Sequence, residues 1–178
     1  MSSPGARLRS LWRRLRPLPG GRRLFSWLLR WMVPYSGTVR PLVLELEPGL
    51  ARARITDRRG VRNHLASVHA IALANVAELV SGLAMTVGLP DGARGIVTGL
   101  SIRYLKKARG PLVAEARFTV PRVATAAEHD FESVVTDAAG DVVARATVTW
   151  RRSSGPRRSR PGPRSSSCRI SCRSIAGS

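Results

Sequence analysis

The sequence predicts an α+β domain in which an antiparallel β-sheet wraps around one long buried central helix, with N-terminal helices ahead of it and a disordered basic tail behind. Three observations lead there. Two runs that alternate apolar and polar residues precede a stretch, 68–87, that is apolar on every side, and four such runs follow it. Short breaks at Pro48-Gly49, Arg109-Gly110 and Ala139-Gly140-Asp141 join successive runs. Runs joined this way are hairpins, and consecutive hairpins make an antiparallel sheet. A helix with no polar face needs cover all round, which the sheet must supply.

In chain order, "ARLRSLWRRLRP" at 6–17 spaces Leu8, Leu11, Trp12 and Leu15 as a helix does, until Pro17 and Gly20-Gly21 break it. A second helix at about 22–33 carries Phe25, Leu28, Leu29 and Met32, with Trp27 and Trp31 nearby. Either the second helix packs on the domain while the first frays, or the pair rests on an anionic membrane surface with its arginines toward the headgroups. The run "LFSWLLRWMV" at 24–33 is interrupted by Arg30. As a helix it spans roughly 15 Å, half a bilayer core, so no transmembrane segment is expected. No small-x-small cleavage site follows it, which argues against a secretory signal. "PLVLELEPGLARARITD" reads as strand, turn, strand; the apolar helix at about 69–87 ends at Gly88, Pro90 and Gly92. The chain divides into a basic amphipathic extension at 1–21, a domain at 22–150 and an Arg/Ser/Pro-rich tail at 151–178.

The net charge of +19 belongs to the ends. Residues 1–33 and 151–178 hold eight Arg each and no acid, whereas 34–150 hold 14 basic residues against 11 acidic ones. A weak polyanion contact through those ends is one reading, although the tail lacks interleaved aromatic residues to stack on bases. Cys168 and Cys172 both fall in the tail, which excludes a disulfide framework for the core and fits a reducing, cytoplasmic setting.

The chemistry centres on Glu78, set near the middle of the apolar stretch. Removing an ionised carboxylate from water costs several kcal/mol unless it is paired or its pKa rises. Asn75 lies three residues before it on the same face, and Ser81 three after. Upstream, Asn63, His64 and His69 crowd the loop feeding the helix N-terminus, whose unpaired N–H groups favour an oxygen bearing negative charge. A carboxylate about three turns along could deprotonate a water aimed at a carbonyl held there. Two His five apart have no third ligand at suggestive spacing, so no metal is expected. Ser67 has no Gly-x-Ser-x-Gly elbow around it, and Glu128-His129-Asp130 reads as a solvated strand start.

Two strands, a long buried helix and a run of antiparallel strands resemble the hotdog-fold thioesterases, and "NHLASVHAIALANVAE" is similar to their active-site segment. In the acyl-CoA branch, which includes the phenylacetate-pathway enzymes, an Asn precedes His-Gly-Gly by six residues and an acid follows that His by nine. Asn63, His69 and Glu78 keep both spacings. Over roughly residues 25–150 the resemblance implies a homodimer or dimer of dimers that hydrolyses an acyl-CoA thioester without a cofactor, coenzyme A entering only with the substrate. It implies that Glu78 activates water, that the Ala70 amide polarises the carbonyl, and that Asn63 and His69 shape the pocket. Asn75 joins the substrate-binding candidates, with Arg103, Lys106, Lys107 and Arg109 for the coenzyme phosphates. The His-Gly-Gly is His69-Ala70-Ile71 here, and the place of a partner-strand Ser or Thr falls at Val97, beside a Thr98 that a regular strand turns to the other face. A non-catalytic module that binds acyl-CoA or an acyl chain is the alternative; a third reading is a basic protein whose tails bind nucleic acid or lipid.

Overall fold

The computed structural model describes residues 3–120 and 127–154. The chain runs as α1 (Pro4–Leu15), α2 (Gly21–Met32), the short α3 (Pro34–Gly37), β1 (Leu42–Glu47), β2 (Leu50–Ile55), α4 (Ala70–Gly88), β3 (Ala93–Tyr104), β4 (Leu112–Arg117), β5 (Ala127–Thr136) and β6 (Val142–Ser154). Two strands, a long helix and four strands is the order that the alternation predicts. The strands form one antiparallel sheet, β1-β2-β4-β5-β6-β3.

The sheet can wrap α4 because its inner face is small. Ala51, Ala53, Ala114, Ala116, Ala144 and Ala146 are no more than 1% exposed, while Arg52, Glu115 and Arg145 alternate with them on the outside. Across from them Val76, Ala77, Val80 and Ala84 of α4 are fully buried. By length and composition α4 could cross a bilayer, but it is the core helix of the sheet.

Two segments differ from expectation. α1 does not fray: Leu8 and Trp12 are buried, and Trp12 meets Phe25 of α2 edge-on at 4.9 Å. Gly5 makes this docking possible, since a Cβ there would lie 2.0 Å from the Thr86 carbonyl oxygen of α4. Residues 4–15 therefore share the core of the domain. At the other end, β6 runs on to Ser154, so Arg151 and Arg152 belong to the strand. Neighbours on both sides hold them there, Ile96 and Gly95 of β3 on one and Glu128 and Ala127 of β5 on the other. The rest of the tail, with both cysteines and its expected disorder, lies outside the described residues.

The sheet's two edges are treated differently. α2 covers β1: the Ser26 hydroxyl accepts the Val43 N–H at 2.8 Å and donates to the Arg22 carbonyl at 2.7 Å. β3, twelve residues long, is the opposite edge and pairs only with β6 among the described residues. It exposes Ile96, Leu100 and Tyr104.

Candidate active site

A loop built by Asn63 delivers the N-terminus of α4. Its Oδ1 accepts from the Leu65 N–H (2.9 Å), the Ser67 N–H (3.2 Å) and the Ser67 hydroxyl (3.1 Å). A short carboxamide reaches its own backbone two and four residues on, which is why Asn suits this turn. The Val68 N–H then donates to the Ala108 carbonyl at 2.8 Å and the His69 N–H to the Val61 carbonyl at 2.7 Å, fixing where the helix begins. His69 caps it: Nδ1 accepts from the Ile71 N–H at 3.1 Å, so the ring's own proton sits on Nε2. The Ala70 N–H, the first of the helix, has no acceptor among the described residues. The Tyr104 hydroxyl donates to the Ala70 carbonyl at 3.1 Å, tying the end of β3 to this point. Between them opens a cleft of about 380 Å³, lined by Asn63, Ala70, Leu73, Tyr104, Lys106 and Lys107, among others.

Glu78 lies elsewhere on the helix. It is half-buried, and no ion pair or hydrogen bond engages its carboxylate among the described residues. Burial pushes its pKa above the ordinary carboxylate range. Trp150 of β6 stands near Glu78, across Gly82. A Cβ at Gly82 would meet the Trp150 ring at 3.1 Å and Glu78 Oε1 at 3.7 Å, so this glycine borders both the indole and the carboxylate. The Trp150 N–H donates to the Ser81 hydroxyl at 3.1 Å, and that hydroxyl donates to the backbone carbonyl of Glu78 at 2.8 Å. Eight residues at 1.5 Å each place Glu78 about 12 Å along the axis from Ala70, two turns rather than three. Within one chain the carboxylate and the Ala70 N–H stand on separate turns of the helix.

The remaining candidates scatter. Asn75 is buried and turns to α3: its amide donates to the Tyr35 carbonyl at 3.3 Å, and its Oδ1 is buried without a partner. It does not line the cleft. Lys106 does, but Asp137 (2.7 Å) and Asp141 (2.6 Å) hold its ammonium and raise its pKa. Lys107 lines the cleft and has no ion pair among the described residues. Arg103 stands opposite Arg145 on the outer face of β3, and exposed Arg109 adds its positive charge to the field that lowers the Asp57 pKa, after Arg62 and the Gly110 N–H. His64 is exposed. β3 is not regular at Thr98: the register passes from Val97↔Trp150 to Gly99↔Thr149, leaving Thr98 as the extra residue of a bulge, a device that re-aims side chains. Sequence reasoning missed Tyr104, whose only signal is an aromatic ring closing a strand, and Trp150, which comes from 69 residues beyond its partner Ser81. Among the described residues no three His, Cys, Asp or Glu gather closely enough to hold a metal ion.

The family described as "Domain of unknown function (DUF4442)" matches residues 21–151. Among solved structures, a structural-genomics target protein is 31% identical, with a TM-score of 0.74 over 83% of this chain and 99% of that one. A Pseudomonas aeruginosa protein named "Probable Thioesterase" is 27% identical, with a TM-score of 0.67 over 77% and 97% of the two chains. A phenylacetic acid degradation-related protein of Ralstonia eutropha shares the fold at 21% identity, with a TM-score of 0.58 over 67% and 89%. No curated protein matches by sequence. The match over residues 21–151, the sheet wrapped around α4 and these shared architectures together make the chain a member of the DUF4442 family within the hotdog-fold thioesterase superfamily.

Proposed function

We propose that the protein is a homodimeric hydrolase of acyl-CoA thioesters, in which Glu78 of one subunit activates the water that attacks a carbonyl held at the α4 N-terminus of the other. The observation that carries this reading is the half-buried Glu78 carboxylate, without a partner among the described residues and with its pKa raised by burial. A structural acid in such a place needs a partner, whereas a general base needs a free lone pair and a pKa moved toward neutrality. The open Ala70 N–H at a helix N-terminus supplies the second half, a donor for the oxygen that becomes negative. Two antiparallel copies of α4 would bring one subunit's Glu78 beside the other's Ala70, removing the 12 Å separation. Glu78 takes a proton from water as the new C–O bond forms; the tetrahedral intermediate then expels the coenzyme sulfur, which leaves with that proton. Lys107, at the cleft and without an ion pair among the described residues, is the foremost cation for a coenzyme phosphate, ahead of the committed Lys106. The reaction is placed in the cytoplasm, where acyl-CoA is found.

Binding without turnover is the second reading, favoured by one observation: His69 occupies the Ile71 N–H, leaving a single amide where the related His-Gly-Gly segments offer glycine on both sides. Hydrolysis measured over a panel of acyl-CoAs, beside Glu78→Gln, separates the two. Loss of a general base is expected to lower kcat by about 10²- to 10⁴-fold. Equal rates in parent and variant would leave only the binding module.

A further inference from the structure

We infer that the outward face of α2, with the turn before it and α3 after it, is a docking surface for an anionic lipid membrane. α2 buries one side, Phe25, Ser26 and Leu29, against the domain. Its other side is apolar as well. Leu24, Trp27 and Trp31 are 47%, 50% and 73% exposed at helical spacing, and Leu18, Met32 and Tyr35 continue the patch at 55%, 57% and 70%. Trp27 and Trp31 stand edge to face at 6.1 Å, so the two indoles form one unit. Large apolar side chains gathered on the solvent side of a helix mark an interaction surface.

Charge decides the occupant. The first 44 residues hold nine Arg and no acid. A second copy on this face would press Arg23 and Arg30, which flank it, against an identical pair. The residues at 155–178 repel it in the same way and carry two isoleucines as their only large apolar side chains. An anionic bilayer complements both parts: indole and phenol rings settle at the headgroup boundary, Met and Leu enter just below it, and Arg23 and Arg30, beside that face, meet phosphates. The buried Leu8, Trp12 and Phe25 are withdrawn from such a contact, so the protein would sit on the surface without unfolding. This inference is independent of the hydrolase reading.

The test is co-sedimentation of the full chain with vesicles of phosphatidylcholine alone and of phosphatidylcholine with an equal part of phosphatidylglycerol. Binding to the mixed vesicles, weakening with salt, is expected. Trp27→Ser with Trp31→Ser should weaken it by roughly tenfold or more while leaving the thermal midpoint in place, since both rings are exposed. Arg23→Gln with Arg30→Gln should weaken it and flatten its salt dependence. The tail is unchanged in every variant, so a difference belongs to this face. Parent and tryptophan variant binding anionic vesicles equally, or no binding by the parent, would overturn the inference; so would a tryptophan variant that changes only the oligomeric mass in light scattering.

Discussion

Glu78 is held in a state that costs the fold something. Its pKa is raised by burial alone, with no cation to compensate. The folded protein therefore binds this proton more tightly than the unfolded chain, and native stability falls as pH rises from about 4.5, the ordinary value, through the raised folded one. Glu78→Gln removes the dependence. The variant is expected to match the parent below that window and to exceed it above, a trade of stability against function read from thermal melts across pH. A melt difference independent of pH would mean that the carboxylate is not desolvated. Activity should climb through the same raised pKa, since only the ionised acid can accept the water's proton.

At the scale of elements, α1 gives the sharpest contrast between local preference and packing. Helix propensity alone makes Gly5→Ala stabilising by about 1 kcal/mol. The Cβ would sit 2.0 Å from the Thr86 carbonyl oxygen, which no rotamer relieves. Gly5→Ala is therefore expected to destabilise by about 1–3 kcal/mol in urea unfolding, the opposite sign. The same contrast explains what the sequence showed of each element. α4 was legible from end to end because burial over most of its surface leaves a long run with few polar residues. The docking of α1 was not, since Leu8 and Trp12 look the same on a fraying helix as on a packed one. The Thr98 bulge was hidden too, because the extra residue is defined only against Trp150 and Thr149 across the strand pair.

For the whole molecule, the two sheet edges argue for a pair. A long strand edge with exposed Ile96, Leu100 and Tyr104 invites another strand, whereas α2 already blocks the β1 edge. A two-fold pair through β3 would place two α4 helices side by side, as the proposed sharing of the site between subunits requires. Ala70→Pro tests it: proline is tolerated at the first position of a helix and removes only the N–H in question. Alone, Ala70→Pro and Glu78→Gln should each be nearly inactive. Mixed after unfolding and refolding together, they should recover about a quarter of the parent rate, since random pairing leaves one intact site in half of the dimers. No recovery would place both groups in one chain's own site.

By itself the sequence determined the order of elements, the wrapped helix and the isolation of an acid within it. Those are consequences of periodicity, and periodicity is set by backbone geometry that each residue shares with its near neighbours. Only the tertiary structure decided that Trp150 reaches Ser81 one turn from Glu78, that His69 takes one helix amide, that two aspartates claim Lys106, and that an apolar side of α2 faces outward. Each depends on groups brought together from distant parts of the chain, whose meeting is settled by how the sheet closes around α4.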